Sequence, residues 1–249
     1  MIKVTCSYNK KYEDFLVEVF NFVLTTYAQD LDLSALKEVI LYKQEEFYYQ
    51  TDGRTVGNGT IIVLSSRLFE LLPCIRIKEL SENSDFNLIV STLYHEMGHV
   101  NDWLKMPTLY NKVMHTDEPQ NVMAILLWLE YIAEKRSCIP KLTQKAHTDF
   151  CEAFIKWEWP AKDFNYIDAN MNNYFYLVKA IPYFLARSCD PQKRTDYLSR
   201  MRNPIVRSFA LEIDKEISLL ENRPIFDYEE PLEPLSSVIR KYRQVFLLN

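Results

Sequence analysis

Glycine is nearly missing from this sequence, with four residues in 249, and histidine is equally rare. Cysteine occurs five times (Cys6, Cys74, Cys138, Cys151, Cys189), an odd and scattered set without a C-x-x-C pair. That spacing excludes a structural zinc knuckle and argues against a disulfide framework, so reduced thiols in a cytoplasm are expected. No long hydrophobic run is present either: the longest, Val122 to Leu129, is too short to cross a bilayer. The stretch Met1 to Tyr8 has neither the apolar core nor the small-residue cleavage site of a secretory signal. Positive charge is not in excess, and a net charge of -5 offers no general attraction to nucleic acid or to an anionic membrane. Neither partner is expected. The remaining composition, 48% hydrophobic and 25% charged, is that of a globular protein able to bury one or two cores.

The few glycines are placed informatively. Gly53, Gly57 and Gly59 share the stretch Asp52 to Gly59, expected as a turn or loop running into the β-branched segment Thr60 to Ser65, which reads as a strand. Lys37 to Tyr42 is its expected pairing partner. Ahead of them, Tyr12 to Ala28 repeats apolar residues at Phe15, Val19, Phe22 and Val23 with helical spacing. Beyond about residue 83 the pattern is helical throughout, in windows near 85–104, 119–138, 144–158, 166–187, 191–201, 204–222 and 234–247, with prolines mostly between them. Pro182 lies inside a window and predicts a kink or an early helix end. The expected fold class is α+β and mostly helical, with a division near residue 140: residues 1–140 carry the chemistry and 141–249 form a helical portion that can share the same core.

The fourth glycine sits in His95-Glu96-Met97-Gly98-His99. Around it, apolar residues recur at Phe86, Ile89, Val90, Leu93, Met97, Val100 and Leu104, the strongest helical periodicity in the chain. At about 100° per residue His95 and His99 share one face, opposite that stripe, where two imidazoles can reach a single Zn²⁺. Glu96 points to the flank of that face and suits a general base acting on a metal-activated water. The alternative is a solvated polar face that carries two histidines by chance.

A second segment sharpens the choice. From Val122 to Ala133 the only charged residue is Glu130, in a stretch apolar on nearly every side and so expected to be buried. A buried carboxylate is costly unless it is paired, hydrogen-bonded or bound to a metal. Glu134 follows one turn later, where two like charges repel. A cation beside them relieves both difficulties, which makes Glu130 the expected third zinc ligand and Glu134 an outer acceptor for the N–H of a ligand histidine. The alternative is that Glu130 pairs with a lysine or arginine, or lies at the exposed edge of the helix.

With these residues in view, the chain resembles the gluzincin zinc metallopeptidases, whose pattern is H-E-x-x-H followed by E-x-x-A-[D/E]. The likeness covers His95 to His99 and Glu130 to Glu134 on two helices and not the whole chain. It implies a zincin-like core, a small N-terminal sheet plus the two motif helices. It implies zinc on His95, His99 and Glu130, with Glu96 as general base and Glu134 outside the ligand shell. It further implies a peptide substrate laid by main-chain hydrogen bonds along residues 60–65 as the cleft's edge strand. The metzincin continuation, a third histidine after two more spaced residues, is absent, since Val100-Asn101-Asp102-Trp103 follows instead. No motif fixes the group that stabilises the oxyanion; Tyr131, Arg136, His115 and His147 are candidates on chemistry alone.

Two other features read as structure. The aromatics Phe164, Tyr166, Tyr174, Phe175, Tyr176, Tyr183 and Phe184 are taken as core, and the basic residues from Arg187 to Arg207 as a solvated face interrupted by Asp190 and Asp196. A di-iron carboxylate protein needs a second E-x-x-H, and the residues three before His115 and His147 are Lys112 and Gln144. The remaining rival is a catalytically silent zincin-like domain that serves as a binding or regulatory module.

Overall fold

The computed structural model describes residues 2–43, 52–72, 76–80, 82–116, 119–156, 167–188 and 190–248. They fall into two compact units, Met1–Pro107 with Arg136–Ala146, and Thr108–Lys135 with His147–Asn249.

The first unit holds the sheet. Its strands are β1 (Lys3–Cys6), β2 (Glu38–Tyr42), β3 (Gly53–Val56) and β4 (Ile61–Ser65), in the order β1-β2-β4-β3. The first three in that order run parallel, and β3 is antiparallel to β4. Strand alternation selects the covered face: Val39 and Leu41 of β2 and Ile62 and Leu64 of β4 are buried. They join Phe15, Leu16, Val19 and Val23 of α1 (Lys10–Thr26) in one core. Two single-turn helices, α2 (Arg67–Glu70) and α3 (Ile77–Leu80), add Leu68, Phe69 and Leu80. The long helix α4 (Ser84–Lys105) closes the core with Phe86, Ile89, Val90, Leu93, Met97 and Val100, the stripe expected from its periodicity.

The pairing expected between residues 37–42 and 60–65 is present, in parallel register from Glu38 opposite Ile61 to Tyr42 opposite Ser65. Two expectations need correction. The glycine stretch is half strand: Gly53–Val56 is β3, and the turn is confined to residues 57–60. There Gly57 and Gly59 take φ of +60° and +76°, which a residue without Cβ adopts at little cost. The strand near residues 60–65 is also not an edge. β2 and β3 pair it on both sides, so the edge strand among the described residues is β3. Period-two alternation reports which face of a strand is buried and carries no information about which strand lies beside it.

The helices that follow are α5 (Pro107–His115), α6 (Pro119–Ser137), α7 (Pro140–Ile155), α8 (Ile167–Arg187), α9 (Pro191–Arg200), α10 (Pro204–Glu221) and α11 (Glu233–Leu248). Five of these seven begin at proline, whose fixed φ and missing N–H suit a first helical turn. Asp190 and Asn203 cap α9 and α10 through two backbone N–H groups each. α8 continues through Pro182 and does not end there. In the second unit Tyr174, Leu177, Ile181 and Phe184 of α8 are buried, as are Phe209 and Ile213 of α10 and Leu235, Ile239, Tyr242 and Phe246 of α11. Phe164 and Tyr166 lie outside the described residues. No helix among the described residues is long and apolar enough to cross a membrane.

Candidate metal centre

Asn83 starts α4 by accepting the N–H groups of Asp85 and Phe86 at 2.9 Å each. From that start the apolar stripe sets the rotation of the helix: with Leu93, Met97 and Val100 in the core, His95 and His99 are carried together to another side. That side is not solvated. His95, Glu96 and His99 are all buried, which removes the reading of a water-facing polar surface. The two histidine Nε2 atoms stand 3.0 Å apart, with the rings tilted 78° to one another.

Glu130 comes from α6, and the last turn of α6 shows what fixes that helix. The Arg136 guanidinium forks onto Asp102 of α4, with Nη2–Oδ1 at 2.8 Å and Nη1–Oδ2 at 3.1 Å. The Asn101 amide donates to the same Asp102 at 2.7 Å, and the Ser91 hydroxyl donates to the Ser137 carbonyl at 3.2 Å. A bidentate pair constrains orientation as well as distance. Glu130 lies on the same helix, less than two turns before Arg136. One donor atom from each of His95, His99 and Glu130 lies within 4.8 Å of the others, a buried to half-buried group in the gluzincin H-E-x-x-H … E arrangement.

The residues fit a metal ion. Two imidazole nitrogens 3.0 Å apart can share one ion at the usual Zn–N distance of about 2.0–2.1 Å. With a carboxylate as third donor, one tetrahedral position is left for water, the arrangement of a catalytic rather than a structural site. Other divalent ions accept nitrogen and oxygen donors too, so the donor set shows a metal-binding group without fixing the ion.

Glu96 is held separately. The Thr55 hydroxyl on β3 donates to Glu96 Oε2 at 2.7 Å and lies 3.0 Å from the Glu96 carbonyl. Across from it, a Cβ added to Gly53 would stand 2.8 Å from Thr92 Cγ2 and 3.0 Å from Glu96 Cγ. Edge strand and helix approach closely enough here to require glycine, and the Glu96 carboxylate lies against β3. The sequence shows both residues but not this contact, because Thr55 and Gly53 look like ordinary turn residues.

Two further residues escaped the sequence reading. The Tyr183 hydroxyl on α8 donates to Glu130 Oε2 at 2.5 Å, and Arg187, one turn on, donates from Nε to Glu134 Oε1 at 2.6 Å. Tyr183 is one of the aromatics taken as core; Tyr174 and Phe184 are core, whereas Tyr183 is half-buried. Arg187 was taken as part of a solvated face, but it is mostly covered, stacked over Phe150 at 4.4 Å and 5.3 Å from the Tyr183 ring centre. Arg194 is likewise withdrawn from solvent, bound to Asp214 and to the carbonyls of Leu185 and Ser188. The available signal was the i, i+4 spacing of Tyr183 and Arg187, which matches that of Glu130 and Glu134.

The oxyanion candidates have other engagements. Tyr131 is fully buried with its hydroxyl on Glu221 at 2.7 Å, and burial holds that phenol well above its ordinary pKa. Arg136 is committed to Asp102, and His115 is exposed at the end of α5. His147 belongs to a second group of donors, with Glu134 and Cys138, again within 4.8 Å of one another. Burial, and then the Arg187 guanidinium, push the His147 pKa down to about 4, with Glu134 opposing. Of this second group, Glu134 is already bound to the Arg187 guanidinium. Cys6, Cys138 and Cys151 are in no disulfide, while Cys74 and Cys189 lie outside the described residues.

No family model, curated protein or solved structure matches the chain.

Proposed function

We propose that this protein is a zinc-dependent peptidase, with His95, His99 and Glu130 as metal ligands and Glu96 as general base. The observation that carries the reading is the convergence of the three donors, together with a buried Glu96 pinned against the edge strand. A zinc ion bound there would lower the pKa of a water toward about 7 and polarise a carbonyl. Glu96 accepts the proton of the attacking water and returns it to the leaving amine, and Thr55 keeps its carboxylate in position to do so. A peptide substrate adds as a further strand along β3, the edge strand among the described residues, beside Glu96. Glu134, fixed by Arg187, acts as an outer carboxylate for a ligand histidine. The catalytic portion is assigned to residues 1–140, with Tyr183 and Arg187 reaching Glu130 and Glu134 from the helical portion 141–249. Three cysteines in no disulfide are in keeping with a reducing compartment such as the cytoplasm.

The test compares wild type with Glu96→Gln on a mixed peptide library, with zinc content measured in parallel. Cleavage is expected to fall by about 10²–10⁴-fold while zinc stays stoichiometric, since the base is lost and the ligands are not. A variant that keeps its cleavage would exclude Glu96 as base. A wild type that binds zinc but cleaves no member of the library would favour the silent binding module.

A further inference from the structure

The two carboxylates of α6 are met rung by rung by two residues of α8: Tyr183 donates to Glu130 at 2.5 Å and Arg187 to Glu134 at 2.6 Å. The partners differ in charge. Arg187 neutralises Glu134, whereas a phenol donates a proton to a hydrogen bond and leaves the carboxylate its full charge. The Arg187 guanidinium also lies beside the Tyr183 ring and over Phe150, so the ring carrying the donor is packed in place.

We infer that Tyr183 is a positioning residue of the metal centre: its hydroxyl holds a carboxylate oxygen of Glu130 and so fixes the rotamer in which that carboxylate meets the ion. The inference rests on the metal-centre reading given above. A carboxylate with both oxygens available can take two coordination positions, and doing so here fills the place reserved for water. With Oε2 accepting from Tyr183, Glu130 is steered to bind through one oxygen, in a fixed rotamer. Hydrogen bonds that orient a ligand in this way act through the ligand and do not touch the reacting atoms. The role of Tyr183 is therefore distinct from that of Arg187, which binds a different carboxylate and supplies a charge of its own.

The experiment uses the full chain and two metal readouts, neither of which needs a substrate. Zinc affinity is measured by competition with a chromophoric chelator, and the visible spectrum is recorded with cobalt(II) in place of zinc. Wild type, Tyr183→Phe, Glu130→Ala and the double variant are compared. Tyr183→Phe is expected to weaken zinc binding by about 10- to 100-fold, the range for lost outer contacts, and to lower the cobalt absorption as a second oxygen enters the shell. In the Glu130→Ala background the same change should have no effect. Replacing Tyr183 by p-aminophenylalanine, which restores a donor at the same place, should recover most of the lost affinity and so separates the hydrogen bond from any loss of folding. Unchanged zinc affinity and cobalt spectrum in Tyr183→Phe would overturn the inference, as would an equal loss in the Glu130→Ala background or a failure of the amino analogue to recover affinity. A wild type without stoichiometric zinc overturns the metal centre itself, an outcome distinct from all of these.

Discussion

Glu130 and Glu134 stand one turn apart on the same helix, and their surroundings differ in kind. Glu134 is buried and bound to a guanidinium; Glu130 is half-buried and bound to a neutral phenol. Each belongs to a three-donor group of metal-ligand type, one with His95 and His99, the other with Cys138 and His147. Donor spacing alone therefore does not single out a metal centre. The partners add a distinction: at Glu134 the arginine already supplies a cation and repels a second one, whereas the donor that Tyr183 offers Glu130 is neutral. Arg187 on Glu134 thus relieves part of the repulsion between two glutamates at i and i+4.

The sharpest way to break this comparison is to remove each carboxylate and measure zinc. Glu130→Ala should keep only the weak zinc binding of two histidines and fail to retain stoichiometric zinc through dialysis, while Glu134→Ala should weaken binding by only about tenfold, as an outer residue. Equal losses, measured by metal analysis after dialysis, would dissolve the distinction between the two positions.

Folding stability should rank the same two substitutions in reverse. In metal-free protein, Glu134→Ala strands the largely covered Arg187 guanidinium and is expected to cost about 3 kcal/mol in urea unfolding, the lower end for a broken buried pair because Arg187 keeps 22% of its side-chain exposure. At Glu130→Ala the lost hydrogen bond from the Tyr183 phenol, a neutral donor, should cost about 1 kcal/mol. A Glu130 variant less stable than the Glu134 variant would show that the partner charges do not set the energetics.

Acid should probe the Arg187 side selectively. His147 titrates near 6.5 when unfolded and is pushed down to about 4 in the fold, so between those values the unfolded chain binds the extra proton. Stability is then full above about pH 6.5 and is lost as pH falls toward 4, by on the order of 2 kcal/mol from this residue. His147→Gln should flatten the slope of unfolding free energy against pH in that window. An unchanged slope would place the acid sensitivity elsewhere.

How much of this was legible beforehand follows from the range of each signal. Periodicity located α4 and α6 to within a few residues because a helix forms from neighbours in sequence, and the phase of the stripe from Phe86 to Val100 placed both histidines on one face. The lone charge in Val122 to Ala133 pointed to Glu130 because burying a carboxylate is costly in any fold. The edge strand was misplaced because strand neighbours are chosen by long-range pairing. β4 looks the same in sequence whether β3 flanks it or not. Tyr183 and Arg187 were passed over because half-buried aromatic and basic residues in a helical stripe read like those that only pack or face water.

The sequence by itself determined which residues were candidates, His95, Glu96, His99 and Glu130, and the two helices that carry them, since those depend on residue type and local spacing. Only the tertiary structure decided that Glu96 rests on β3, that Arg136 ties α6 to Asp102, and that Glu130 meets a phenol while Glu134 meets a guanidinium. Each of those is a contact between elements distant in the chain. Such contacts form only when separate apolar faces are buried together, and the identity of a distant partner leaves no trace in local spacing.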